Sequence, residues 1–500
     1  MKLSSNKFLF PLLLVIVFIA TYTYTFDPKI AQLGDNASYY ILGKSISLGE
    51  GYLNISKITK TPNNHYPPGY PAILAIVMVF TSNVTVLKIL NGIFLLGTVL
   101  ILYRLVTLLS HSRLLAFACG LILLGNFHMQ QYGSILMSEI PFAFFSMLAL
   151  LFIVKWKQKG GGLGAEFWAA LGCAIASYYI RSLGIALFGG IVFYMLTEKR
   201  WKAAGIFIVG FVMAALPWFI RGQQLGGGSY LKQLSLINPY RPEMGQAEFS
   251  DFVNRFFENL SRYISTEIPY ALFAGEMPDY GNGAEISDWL VGLAIIALTV
   301  FGIIKFSEYK WLILAYLLAT FGILMFWPDV WVGVRFMVPV IPLLIMGFLH
   351  GIYQGITFVF RQAQRGFSPA WLLILFFFMA APLAALHDQA KQPLHPAWQN
   401  YYAMAEWLKA NESREVVVSC GKPSLFYLYS GTYTMRYAFE EDPNKLIADL
   451  EDGKVDYVVL DQVYGNTIRY LLPAIKAYPD RFEQVYYRQN PDTFLLRFKR

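Results

Sequence analysis

The chain has 500 residues, of which 56% are hydrophobic and only 14% charged, and its mean hydropathy is +0.46. Soluble domains carry roughly a quarter charged residues, so this composition excludes a soluble protein and indicates a polytopic membrane protein. The net charge of +8 does not argue for nucleic acid, because Lys and Arg fall largely in short loops between apolar blocks, as positive-inside topology requires.

The first apolar block, "FLFPLLLVIVFIATYTYTF" at 8–26, follows Lys2 and Lys7 as a signal peptide would. It is longer than a typical h-region and has no clear small-residue cleavage site, so it reads as a retained helix. Next comes "AQLGDNASYYILGKSISLGEGY", residues 31–52, within a loop spanning 27–69. Tyr39, Tyr40, Leu42 and Ile46 fall on one apolar side, which suits an interfacial helix holding Asp35 at headgroup depth. In the alternative reading, Asp35 or Asn36 is an N-cap, and Gly49 and Gly51 end the helix. "NNHYPPGYP" follows, with His65 and Tyr66 before the prolines; a loop histidine serves as a ligand or proton carrier, or does neither. "YPAILAIVMVF" at 70–80 is too short to span and reads as a juxtamembrane or re-entrant helix.

Further spans are expected near 86–104, 113–127, 135–154, 166–180, 183–197, 203–219, 288–305, 309–327, 334–354 and 370–386, about eleven in all with the first. The basic clusters Arg104–Arg113, Lys155–Lys159, Lys199–Lys202, Lys305–Lys310 and Arg361–Arg365 are cytoplasmic on this reading. The N-terminus then lies inside, and the loops 27–69 and 221–287 and the tail 387–500 lie outside. Glu139, in "GSILMSEIPFAFFSMLALLF", sits a few residues inside a span, where carboxylates are rare and functional by default. Its bland alternative is a helix start at the outer interface, capped by Ser138. Arg181, in "ASYYIRSLGIAL", lies between two short apolar blocks, either snorkelling to headgroups or binding an anion. Arg221, Lys232 and Arg241 flank the Gly-rich start of the second loop, a plausible acceptor contact. Arg335, in "FWPDVWVGVRFMVPVIPLL", enters the outer end of another span.

The tail alternates helix and strand patterns over ~100 residues and reads as a small extracytoplasmic α/β domain, 387–500, appended to a transmembrane domain of 1–386. It has no Gly-rich phosphate loop. Cys119, Cys173 and Cys420 have no metal-ligand spacing.

Two outward carboxylates, several cations and aromatic juxtamembrane helices suit a lipid-linked phosphosugar whose phosphate lies at headgroup depth. Cations neutralise the departing phosphate, and one carboxylate takes the proton of the attacking hydroxyl. Asp35 with the following "YYILGKSISLGEGY", then "YPPGYP", "SEIPF", "YYIRSLG" and "VGVRFMVPVIPLL", resembles in its order the C-type membrane glycosyltransferases that use polyprenyl-phosphate sugars. These include bacterial aminoarabinose transferases and protein O-mannosyltransferases. The resemblance covers nearly all of residues 1–350 and implies catalytic roles for Asp35 and Glu139, with Arg181 and Arg335 at the donor phosphate. Many relatives have an acidic and a basic residue directly before the two prolines, where this chain has His65 and Tyr66. A divalent ion on Asp35, Glu139 or His65 is compatible with the resemblance. The implied partners are a polyprenyl-phosphate sugar, an extracytoplasmic acceptor and membrane lipids, with no nucleic acid. The alternatives are a multi-span transporter or lipid flippase, which would favour midplane charges and internal repeats, and a scaffold whose tail binds a partner.

Overall fold

A computed structural model describes residues 7–227, 229–241, 244–273, 278–281, 283–359 and 368–500. Its contacts divide the chain into two compact units: Met1–Pro28 with Asn64–Tyr70 and Val84–Lys391, and Lys29–Asn63 with Pro71–Asn83 and Gln392–Arg500. The sequence reading placed the stretches 29–63 and 71–83 with the transmembrane part. Arg361 and Arg365, read as cytoplasmic, lie outside the described residues.

The described residues of the first unit form helices apart from an isolated bridge between Leu236 and Gln246, and each of the eleven expected spans falls on helix. Among the described residues seven helices are long and apolar enough to cross a membrane, eight if Arg113–Gly125 and Phe127–Gly133, bent by 64°, count as one span. A count of eleven is not reached by this measure, because Leu9–Thr25 has 17 residues, Ala165–Ile180 has 16 and Gly184–Thr197 has 14. Without water to drive apolar faces together, bundle helices associate by close packing of small residues. Helices Ile286–Ile304 and Ile341–Val359 show this: a Cβ on Gly302 would lie 2.0 Å from the Gly347 carbonyl oxygen.

The second unit is a sheet of β1 (Val417–Ser419), β2 (Tyr433–Met435), β3 (Tyr457–Leu460), β4 (Phe482–Arg488) and β5 (Thr493–Phe498), in the order β2-β1-β3-β5-β4. The β1–β2 and β1–β3 pairs are parallel, and the two pairs made by β5 are antiparallel. Strand alternation divides the core. Val418, Val459 and Leu495 pack with Tyr401, Leu408 and Phe426 on one face. Val417, Val458 and Phe498 pack with Leu446, Leu450 and Leu471 on the other. The expected tail helices and strands form near their expected places. β2 is additional, a three-residue edge strand whose outer side is bonded by Thr434 N–H to the Ser56 carbonyl at 2.7 Å.

Helix Gly34–Ser47 belongs to this unit, and its start differs from expectation. The cap position is Leu33, without a side-chain cap bond, and Asp35 lies inside the first turn. Asn36 instead donates to the Ala31 carbonyl and accepts from the Ala37 N–H, both at 2.7 Å. Nor is the apolar side spread on lipid, since Tyr39 and Leu42 are buried and Ala37 joins the core cluster of the sheet domain.

Candidate active site

In the first unit the structure joins two of the residues singled out separately. Glu139 opens helix Glu139–Gln158 and is fully buried, and its Oε1 lies 2.7 Å from Nη1 of Arg181. Ser138 does not cap the helix; its hydroxyl accepts from the same Nη1 at 3.0 Å. Arg181 is held in extended conformation at the end of helix Ala165–Ile180. Its N–H donates to the Ser177 carbonyl at 2.9 Å, and its own carbonyl accepts from Gly184 N–H at 2.8 Å. This is a tight turn between the two short helices. Breaking a pair with one side fully buried would strand a charge, so neither simple capping nor snorkelling describes these residues.

Two buried polar residues of one apolar helix, passed over in the sequence reading, hold neighbouring segments, and one of them, Asn91, supports the segment before Glu139. Asn91 is buried in helix Val84–Ser110 and donates to the carbonyls of Ile135 and Met137 at 2.6 and 2.9 Å, while accepting from the Tyr70 hydroxyl at 3.1 Å. One turn earlier Lys88, 1% exposed, donates to the Asp27 carbonyl, with its ammonium 5.4 Å from the centre of the Phe26 ring. The available signal was a Lys and an Asn three apart near the start of an otherwise apolar helix.

"YPPGYP" lies against the Arg181 turn. A Cβ at Gly69 would stand 2.6 Å from the Tyr179 carbonyl group, so only glycine admits this approach. His65 stacks on Tyr230 at 4.9 Å and meets Tyr66 edge-on at 4.5 Å, and Asn64 donates to the Gly227 carbonyl at 3.2 Å. Tyr230 in turn meets Trp331, edge to face at 6.4 Å. His65 and Tyr66 thus join an aromatic wall formed with the second loop. Arg221, in the last turn of helix Trp201–Gln224, lies 5.4 Å from the Trp218 ring centre, and Arg335 lies 4.9 Å from that of Phe336. The expected span at 334–354 begins with tight turns over Val334–Val340 that place Arg335 ahead of helix Ile341–Val359.

A second buried acid was also missed. Glu267, 1% exposed, accepts from the Tyr280 hydroxyl at 2.8 Å and Gly333 N–H at 3.1 Å, with Nε of Arg262 at 3.7 Å. Burial pushes its carboxyl above the usual range, and those donors oppose the shift. The signal was present: "EIPF" at Glu139 recurs as "EIPY" at Glu267, each followed directly by helix. Arg262 also donates to the Asp329 carbonyl at 2.9 Å, fastening this helix to the segment before Arg335.

Asp35 belongs to the second unit. Among the described residues no group of three His, Cys, Asp or Glu side chains is placed to hold a metal ion.

Residues 12–225 match the family model for dolichyl-phosphate-mannose-protein mannosyltransferase. No curated protein sequence matches the chain. Among solved structures, ArnT from Cupriavidus metallidurans bound to undecaprenyl phosphate is 12% identical, with 98% of each chain covered and a TM-score of 0.59. The Archaeoglobus fulgidus oligosaccharyltransferase tethered to an acceptor peptide is 11% identical, covering 99% of this chain and 74% of that one, with a TM-score of 0.58. The archaeal oligosaccharyltransferase AglB from Archaeoglobus fulgidus, in complex with an inhibitory peptide and a dolichol-phosphate, gives 11% identity, 98% and 74% coverage, and a TM-score of 0.57. The chain therefore has the multi-pass fold of the C-type glycosyltransferases, as the order of its motifs implies.

Proposed function

We propose that this protein is an integral membrane glycosyltransferase that moves a monosaccharide from a polyprenyl-phosphate donor to an extracytoplasmic acceptor, with inversion at the anomeric carbon. The observation that carries this reading is the family match over 12–225, which includes Asp35, His65, Glu139 and Arg181, within a fold shared along the whole length of ArnT. ArnT was solved with undecaprenyl phosphate and AglB with a dolichol-phosphate, which supports a lipid-phosphate donor here.

In the proposed reaction an acceptor hydroxyl or amine attacks the anomeric carbon, and the bond from that carbon to the phosphate oxygen breaks with its electron pair. The attacking group's proton passes to Asp35, and the negative charge on the phosphate is met by Arg181 and Arg335. Phosphate is a good leaving group, so no strong general acid is needed. Glu139 fixes the Arg181 guanidinium and assists acceptor binding. His65, Tyr66 and Arg221 serve as loop contacts to the acceptor. The topology proposed is an N-terminus in the cytoplasm and a C-terminal domain outside.

The test is to incubate purified, detergent-solubilised protein with a panel of polyprenyl-phosphate monosaccharides, using membrane extract as the acceptor source. Consumption of one donor with release of its polyprenyl phosphate is expected. No consumption of any donor would contradict the reading and favour transport.

A further inference from the structure

The parallel strands of the second unit stand in the order β2-β1-β3, so the chain leaves β1 toward one side and returns to β3 on the other. The connecting helices Pro423–Ser430 and Pro443–Asp452 pack on opposite faces, through Phe426 and Leu446 respectively. In parallel α/β sheets such a reversal opens a crevice beyond the carboxyl ends of the strands, where ligands bind. Here β1 is followed by Cys420, Gly421 and Lys422, β2 by Arg436 and β3 by Asp461.

Lys422 is half-buried, with its ammonium 4.5 Å from the centre of the Tyr464 ring and its N–H bonded to the Tyr401 hydroxyl at 3.0 Å. Arg436 is exposed and lies 5.5 Å from the centre of the Phe439 ring. Some other cations of this domain are matched, Arg469 with Glu441, Arg481 with Glu451 and Arg500 with Asp456, while Lys409, Arg414, Lys454, Lys476 and Arg488 are in no ion pair among the described residues. Among the described residues Lys422 and Arg436 form no ion pair. Burial, and then the Arg436 charge, lower the Lys422 ammonium from its ordinary value, while the Asp35 carboxylate acts in the opposite direction. Packing agrees with this neighbourhood, because Ala37, two residues beyond Asp35, is buried in one cluster with Tyr401, Cys420 and Phe426.

We propose that Lys422 and Arg436 form an anion subsite for the acceptor, which seats a phosphate or carboxylate of the acceptor molecule at the carboxyl ends of β1 and β2 and presents its nucleophile to Asp35. This rests on the reading of Asp35 as the proton acceptor. In an inverting displacement the attacking and leaving groups occupy opposite faces of the anomeric carbon, so cations beside the base lie on the acceptor's side, away from the departing phosphate. Two cations just beyond the strand ends, each beside an aromatic ring, suit an oxyanion.

The test titrates purified full-length protein in detergent with inorganic phosphate by calorimetry, in the presence of saturating polyprenyl monophosphate so that the donor's own site is filled. Phosphate affinity should fall about tenfold or more in the Lys422→Gln/Arg436→Gln double variant, as expected for losing charge-assisted bonds. Polyprenyl monophosphate affinity should stay within about twofold. The charge-retaining Lys422→Arg/Arg436→Lys pair should still bind phosphate, which separates loss of charge from misfolding. If the Gln pair loses polyprenyl monophosphate affinity, the cations serve the donor and the proposal fails. It fails equally if neither affinity changes. The readout is binding, so phosphate binding that survives while no donor turns over would overturn the transferase reading and leave the anion subsite standing.

Discussion

Glu139 and Arg181 are 42 positions apart, and the 2.7 Å contact between them changes what each can do. An arginine engaged by a fully buried carboxylate has its guanidinium held in one orientation. The same contact makes the two residues interdependent. Glu139→Ala and Arg181→Ala should each destabilise the protein by about 3 kcal/mol, while the double variant costs much less than the sum. Thermal unfolding of the three variants in one detergent measures this, and additive losses would show that the pair is not coupled. Asp461 carries a second residue-scale prediction. It is 1% exposed, and burial pushes its carboxyl up to about 6, with the Val463 N–H and the Thr467 hydroxyl opposing. The folded value lies above an unfolded value of ~3.9, so the folded state holds the proton more tightly. Its contribution is fully present below pH ~4 and is lost as pH rises to about 6. Asp461→Asn should flatten the unfolding midpoint between those two values relative to wild type. An unchanged slope would refute the assignment. Charges inside apolar runs made Glu139 and Arg181 legible from sequence alone, but their pairing was not, because nothing in either stretch encodes which neighbour the fold will supply. Glu267 could have been read from the recurring tripeptide "EIP", and Lys88 and Asn91 from their spacing.

At the scale of elements, apolar patterning shows which face is covered and is silent on what covers it. Helix Gly34–Ser47 illustrates this, since its tyrosine and leucine side was legible, whereas the place of Ala37 in the sheet domain's core was not. Strand β2 escaped because three residues are too few for an alternation to register, and its edge is completed by Ser56, far away in sequence. The segment at Gly69 is the element-scale joint of the candidate site, since its backbone rests on that of Tyr179 beside the Arg181 turn. Gly69→Ala should push this segment off the helix end and, through His65 and Tyr66, raise the acceptor KM severalfold with a smaller effect on donor affinity. Steady-state kinetics with each substrate varied in turn distinguishes the two. An unchanged acceptor KM would remove His65 and Tyr66 from the acceptor path.

Across the whole molecule, composition established the membrane class and the order of weak motifs suggested the C-type fold, which the structural matches bear out over nearly the full chain. The number of crossings was less legible. Short helices such as Gly184–Thr197 and the bent pair at 113–133 serve the architecture without meeting the length of a simple span. In the proposed reaction the Asp35 carboxylate on the first loop drives transfer from a lipid-phosphate sugar. This role is tested most directly by comparing wild type with Asp35→Asn in single-donor turnover, after confirming equal melting and equal polyprenyl-phosphate binding. The account predicts that release of polyprenyl phosphate falls at least about a hundredfold in the variant, within the range for loss of a general base. Turnover above about a tenth of wild type would contradict a base at that position.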